Sequence, residues 1–260
     1  MSDRRLAVRP LGLSPLLVIL ASLAIFATSA LPARGDAGEA AAILARADAP
    51  RTALSEARMR LRVTTSRTGA AAFAGEFAVL VKGPEKIRIE FLAPADRGKL
   101  LIVNGKDAWL VLPGMKNPIK VPRSQRVTGG FAVADVARTR FVDDYDAVVE
   151  RNETFGGRLC DVLRLTGKKG RDPAFPVLRV WVDREESRTR KVVFLLPSGK
   201  TAREATFDEW GTLRGVPTVT KMTVVDALRP GTTLVEYLDA EKAQLPDALF
   251  EAPTSVDSRR

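Results

Sequence analysis

From Arg58 to Tyr237 the chain is a succession of short runs in which apolar and polar residues alternate, each closed by Gly, Pro, Asn or Asp. Side chains two apart on a strand share a face. Met59, Leu61 and Val63 therefore oppose Arg58, Arg60 and Arg62, and Ile87, Ile89 and Phe91 oppose Arg88 and Glu90. Such strands bury one face and wet the other. Trp109, Leu110, Val111 and Leu112 are apolar without alternation, as is the run from Val192 to Leu196, so parts of the sheet must be covered on both sides.

The pattern predicts strands near 56–65, 73–82, 87–92, 100–104, 109–112 and 119–121, then 148–154, 161–166, 177–182, 191–196, 202–210, 218–226 and 232–240. Gly83-Pro84, Asn104-Gly105 and Gly156-Gly157 supply turns. Ahead of the strands, 36–47 is Ala-rich with Ile43, Leu44 and Ala47 at helical spacing, Asp36 as a cap and Pro50 near the end, which predicts one amphipathic helix. The pattern breaks between Gly129 and Tyr145. After the pliant Thr128-Gly129-Gly130, residues Val136, Phe141, Val142 and Tyr145 lie near helical spacing behind Asp135, predicting a short helix or gating loop. Residues 245–253 predict a short helix or coil. One long antiparallel sheet must close, fold on itself or wrap around something. No repeat or linker interrupts it, so a single domain over 36–253 is expected.

With 260 residues, 45% of them hydrophobic, the chain can build a substantial core. Its start is separate in character: Arg4, Arg5 and Arg9 precede an apolar run from Leu11 to Ala27, followed by small residues at Thr28 and Ala30. This reads as a cleaved secretory signal over 1–30. An uncleaved anchor is the alternative, since Leu11 to Ala33 is nearly long enough to span a bilayer. Residues 254–260 are expected to form a disordered tail. The formal charge of +10 falls to about +8 without Arg4, Arg5, Arg9 and Asp3. Outside the cytoplasm that sign favours phospholipid head groups or lipopolysaccharide over nucleic acid, although much of it, Arg58, Arg60 and Arg62 included, solvates outer strand faces.

The chain has no histidine, which excludes Ser/His/Asp and Cys/His catalysis, and its one cysteine, Cys160, precludes an intrachain disulfide. Carboxylates remain as strong metal ligands or acid–base pairs: Asp143 with Asp144, Asp183 with Glu185 and Glu186, and Asp208 with Glu209. An exported hydrolase would have to use these, yet they fall where a hairpin turn and a solvated strand end belong. No glycine-rich phosphate loop follows a strand, and Trp181 between Arg179 and Asp183 reads as sheet packing rather than a stacking platform for nucleic acid. The expectation is a protein without catalytic residues, cofactor or metal, not an enzyme.

Several segments, in their order and spacing, resemble one family. They are Ile43-Leu-Ala-Arg-Ala-Asp, Val81-Lys-Gly-Pro-Glu-Lys, Phe91-Leu-Ala-Pro-Ala-Asp-Arg-Gly-Lys, Trp109-Leu-Val-Leu-Pro with Ile119 and Arg123, Gly129-Gly to Asp135-Val-Ala-Arg-Thr, Val180-Trp-Val-Asp-Arg-Glu, Asp226-Ala-Leu-Arg-Pro-Gly and Leu245-Pro-Asp-Ala-Leu-Phe. From about Ala41 to Pro253 the chain resembles the exported LolA-like proteins, also called outer membrane lipoprotein-sorting proteins. The resemblance implies a mainly β fold with a few helices, an unclosed antiparallel β-barrel around an apolar cavity whose concave side the helices plug. It implies a periplasmic carrier of a Gram-negative bacterium, binding lipid or lipoprotein acyl chains, helped by an inner-membrane permease, touching anionic membrane transiently and performing no covalent chemistry. Many relatives place a small polar pair before the mid-chain Asp, where this chain has Val133 and Ala134.

On that reading the cavity would be lined by Val79, Val81, Ile87, Ile89, Phe91, Trp109, Val111, Leu163, Leu165, Val180, Val182, Met222 and Val224. Phe131 and Phe141 would belong to a movable lid. Arg88, Lys116, Lys120 and Arg123 would meet head groups or a partner. The same apolar residues could instead form a closed core, and the same fold could serve a periplasmic sensor that binds a lipid or protein partner.

Overall fold

A computed structural model describes residues 37–51, 53–67, 69–105, 107–121, 140–171, 173, 175–228 and 230–252. The chain divides into two compact units, Met1–Ala33 and Arg34–Arg260, and every described residue lies in the second. The expected signal, the cap Asp36 and the tail 254–260 fall outside the described residues.

Each expected strand forms. They are β1 (Glu56–Arg67), β2 (Ala70–Lys82), β3 (Lys86–Phe91), β4 (Leu100–Asn104), β5 (Asp107–Val111), β6 (Ile119–Lys120), β7 (Tyr145–Phe155), β8 (Arg158–Gly167), β9 (Val177–Asp183), β10 (Thr189–Leu195), β11 (Thr201–Leu213), β12 (Val216–Asp226) and β13 (Gly231–Lys242). They make one antiparallel sheet in the order β6-β5-β4-β3-β2-β1-β13-β12-β11-β10-β9-β8-β7. Two meanders are thus joined where β1 pairs with β13, and the edges β6 and β7 do not pair with each other. The barrel is unclosed, as the resemblance implied. Register shifts interrupt six of the ladders, those of β1 with β2 and β13, β10 with β9 and β11, β11 with β12, and β7 with β8. Such irregularities bend and twist strands, which lets so long a sheet curl. In the β7–β8 turn Gly156 and Gly157 both take positive φ, 57° and 77°, the conformation that a two-residue hairpin demands.

The ladders assign faces. Met59 lies opposite Val79 and Ala240, Val79 opposite Ile89, and Ile89 opposite Leu101. This concave face carries one buried cluster across β1–β5 and β11–β13, including Leu61, Phe77, Val79, Ile87 and Val235. A second concave cluster packs Ala40, Ile43, Leu44 and Ala47 of helix α1 (Ala37–Arg51) against Ala147, Leu163, Leu165, Leu178 and Val180. The helix is wedged inside the curl.

The unalternating runs are explained by cover on the convex face. Ile102, opposite Trp109 and Arg88, is fully buried, and the C-terminal segment through the 3-10 turn Asp247–Phe250 lies against β3 and β4 with Leu245 and Phe250 buried. Over β8–β10 the convex cluster Cys160, Val162, Trp181, Val193 and Leu195 is roofed by charged stems. Lys191 lies over the Phe155 and Trp181 rings at 5.5 and 5.1 Å and is ion-paired to Glu204 at 2.7 Å.

Two boundaries differ from expectation. Helix α1 runs past Ala47 and through Pro50, because its last turn has tertiary partners: Asp48 is buried and accepts the Val142 N–H at 2.8 Å, and the Arg51 guanidinium sits 4.0 Å from the Phe141 ring centre. A proline there forfeits one backbone bond near the helix end, which these contacts offset. The expected mid-chain helix is, within the described residues, a single turn, α2 (Phe141–Asp144), since Tyr145 already pairs with Gly167 as the first residue of β7.

The C-terminal strap is held by Lys82 and Lys86, 2.7 and 2.9 Å from Asp247, while Lys82 also donates to the Leu245 carbonyl at 2.7 Å. Hydrogen bonds from Lys82 and Lys86 depress the Asp247 carboxyl to about 2. A depressed carboxyl stabilises above its unfolded pKa and loses that contribution as pH falls through the folded one. Pepsin cleavage within 243–252 should therefore rise as pH falls from about 4 toward 2, and Asp247→Asn should flatten this dependence. Phe250→Ala should cost about 3 kcal/mol at neutral pH by chemical denaturation.

Candidate functional site

Of the residues expected to line a cavity, Val79, Val81, Ile87, Ile89, Phe91, Met222 and Val224 share the first concave cluster, and Leu163, Leu165, Val180 and Val182 share the second. Trp109 and Val111 do not join them. Their register partners are Ile102 and Leu100, which places both on the convex face, while Ala108 and Leu110 point inward opposite Val103 and Leu101. The run 109–112 is apolar on both faces, so alternation alone could not choose the phase, and only pairing with β4 does.

The concave residues that were expected to line a cavity are themselves buried. The accessible apolar surface of this wall belongs to other residues, among them Met59, Phe194, Phe207, Trp210 and Tyr237, which are only partly buried although they pack on the core clusters. Phe194 and Phe207 touch both clusters and so mark the seam between the helix-filled half of the curl and the other half. Phe207 and Trp210 stack with ring centres 6.2 Å apart, and the Trp210 indole donates to the Thr189 carbonyl at 3.2 Å. Tyr237 keeps part of its surface accessible, yet burial raises its phenol pKa above the ordinary value, with the nearby Arg51 guanidinium pulling weakly the other way. Aromatic residues on inward strand positions are the sequence signal for this set, and register shifts beside Tyr237 and Phe207 break the alternation that would mark them.

Toward the end of the curl where β12 turns into β13, the concave face becomes polar. Thr65 and Thr233 hydroxyls lie 3.1 Å apart and Arg203 meets Asp226 at 3.2 Å, all four buried. Phe141, expected on a lid, is buried against α1 and stacks edge-on with Tyr145 at 6.1 Å. Phe131 and Arg123 lie outside the described residues. Arg88 is on the convex face and donates to the Leu249 carbonyl at 3.4 Å, so the C-terminal strap engages it. Lys120 is paired with Asp107 at 2.6 Å, and Lys116 stands exposed in the β5–β6 loop.

The carboxylates are dispersed rather than convergent. Asp143 pairs with Arg140 at 3.1 Å, Asp208 accepts from the Thr223 hydroxyl at 2.6 Å, and Glu209 pairs with Lys221 at 3.3 Å. Asp183 organises the β9–β10 hairpin: it accepts the amides of Glu185 and Glu186 at 2.9 and 3.1 Å and binds Arg158 and Arg190 at 3.2 and 2.8 Å. Burial alone would raise its pKa, but the Glu186 amide, Arg190 and the Glu185 amide outweigh that and hold it below the ordinary value. The polar surface pocket of about 430 Å³ beside it, lined by Gly156, Gly157, Arg158, Leu159, Asp183, Arg184 and Glu185, is therefore the flank of a satisfied turn. Among the described residues no three His, Cys, Asp or Glu side chains gather as metal ligands. Cys160 is buried and its thiol pKa is raised, chiefly by that burial.

A family model with the description uncharacterized protein matches residues 83–254. The chain belongs to that family, and its fold is LolA-like. A LolA superfamily protein from Nitrosomonas europaea is 28% identical, with 82% of this chain and 97% of that one superposing at a TM-score of 0.71. A protein of a domain-of-unknown-function family from Desulfovibrio piger is 20% identical over 83% of this chain and 97% of its own, TM-score 0.72. An outer membrane lipoprotein-sorting protein domain from Vibrio parahaemolyticus is 19% identical over 83% and 97%, TM-score 0.68. The last two likenesses are of fold alone. No curated protein matches the sequence.

The chain has two tyrosines, so Tyr145→Phe leaves Tyr237 as the one phenol to titrate. Its midpoint by ultraviolet difference absorbance should lie above the ordinary value of about 10. Because the fold favours the neutral phenol, this contribution to stability is complete below about 10 and lost as pH rises through the higher folded value. A midpoint at or below about 10 would remove Tyr237 from the interior wall.

Proposed function

We propose that this chain is a periplasmic carrier that takes lipid, or the acyl chains of a lipoprotein, into the concave trough and moves it toward the outer membrane without making or breaking a bond. The observation that carries the reading is the partly accessible set Met59, Phe194, Phe207, Trp210 and Tyr237 packed on a buried concave cluster. Each methylene withdrawn from water is worth about 0.8 kcal/mol, so one long acyl chain needs on the order of 10 kcal/mol of shelter. An unclosed curl lined by aromatic and aliphatic side chains offers that shelter, and the edges β6 and β7, which do not pair with each other, let it widen without breaking the ladder between them and their neighbours. The likeness to a LolA superfamily protein at 28% identity supports the carrier reading. Export through a signal ending near residue 30 and receipt of cargo from an inner-membrane permease complete the reading; intact mass of the secreted protein tests the first.

Protein purified without detergent should yield acyl chains on organic extraction, identified by mass spectrometry, and Phe207→Asp should reduce the yield about tenfold, because a carboxylate in an apolar trough is costly to desolvate. Complete absence of lipid across gentle preparations would overturn the carrier reading. Of the three tryptophans only Trp210 faces the trough. A brominated acyl chain should quench the Trp109→Phe, Trp181→Phe double variant, which retains Trp210, and leave the variant retaining only Trp109 unaffected.

A further inference from the structure

The antiparallel meander sorts its turns onto two ends. The lower end carries the β2–β3, β4–β5, β7–β8, β9–β10 and β11–β12 turns; the upper end carries β1–β2, β3–β4, β5–β6, β8–β9, β10–β11 and β12–β13. The two ends differ in how their charge is spent. At the lower end the arginines of the β7–β8, β9–β10 and β11–β12 turns are neutralised within the fold: Arg158 by Asp183 at 3.2 Å, Arg184 by Asp161 at 2.7 Å, Arg188 by Glu186 at 3.0 Å and Arg214 by Asp239 at 2.5 Å. At the upper end Arg97, Lys116, Lys169, Arg171 and Lys200 are exposed, and none meets a carboxylate among the described residues.

The upper end also exposes large apolar side chains. Leu228 in the β12–β13 turn is 58% exposed, Val225 beside it 45%, Met115 in the β5–β6 loop 43% and Leu92 after β3 40%. A leucine held in water at the tip of a turn contributes nothing to the core, and a cation without a partner contributes nothing to the fold. Both become useful against a surface that is negatively charged at its face and apolar just beneath it.

We propose that the upper rim is a docking surface for a bilayer carrying anionic phospholipid, with Leu228, Met115 and Leu92 entering the interfacial region and the five exposed cations meeting phosphates. The apolar anchors are separated, one to a turn across several strands, and lack the aromatic and buried centre that a protein interface concentrates. A fluid lipid surface accommodates dispersed anchors, whereas a protein partner needs a contiguous patch. Lysine stems can lie along the interface with the ammonium at phosphate depth. Such docking would hold the polar concave collar of Thr65, Thr233, Arg203 and Asp226 at the membrane side of the trough.

The test uses the compact unit Arg34–Arg260, because the apolar run ahead of it would insert by itself. Floated with vesicles of phosphatidylglycerol and phosphatidylcholine, it should bind, release in high salt, and ignore pure phosphatidylcholine vesicles. The triple variant Lys116→Gln, Lys169→Gln, Lys200→Gln should bind about 100-fold more weakly, and Met115→Asp with Leu228→Asp should abolish flotation, both with unchanged thermal melting. Equal binding to neutral vesicles, unaltered binding by the triple variant, or retention by an acidic protein but not by vesicles would each overturn the proposal. Empty vesicles report docking and solvent extraction reports cargo, so the failure of one reading leaves the other measurable.

Discussion

The architecture rests on the pairing of β1 with β13. Residues from Ala57 to Arg67 meet residues from Lys242 back to Gly231, joining the start of the sheet to its end across almost the whole unit. Without this ladder the chain would be two separate meanders, each with one exposed long edge. With it, the long strands lie at the centre and the sheet ends in the two-residue β6 and the charged β7, whose Glu150, Arg151 and Glu153 discourage further pairing. The loop closure is long and the reward is one continuous wall.

A continuous wall has two faces, and this protein treats them differently. The convex face is finished: a C-terminal strap covers β3 and β4, and cation–carboxylate pairs roof the cluster around Trp181. Among the described residues α1 fills the concave face against β7 to β9 and reaches β12, with Asp48 and Arg51 fastening the helix end to α2. Opposite the helix, large side chains remain partly accessible.

Much of the fold was legible from local chemistry. Strand positions followed from alternation and from Gly, Pro, Asn and Asp at the turns, because both depend on residues a few positions apart. The extent of α1 and the shortness of α2 were not legible, since Asp48, Arg51 and Tyr145 are ruled by partners distant in sequence. The candidate site was legible only in outline. Eleven of the residues expected inward do face inward, yet they are the buried backing of the wall, whereas the accessible row includes Phe207 and Tyr237 beside register shifts.

The amino-acid sequence by itself determined that this is an antiparallel sheet, wet on one face along some strands and covered on both along others, with a helix before it and no histidine chemistry. Period-two alternation and composition are local quantities, and they suffice for that. Tertiary structure alone decided that Trp109 and Val111 face outward, that Arg88 serves the C-terminal strap, and which aromatics stay partly accessible on the concave face. Those outcomes depend on the phase of one strand against another and on what is left uncovered when the sheet curls, neither of which any single segment encodes.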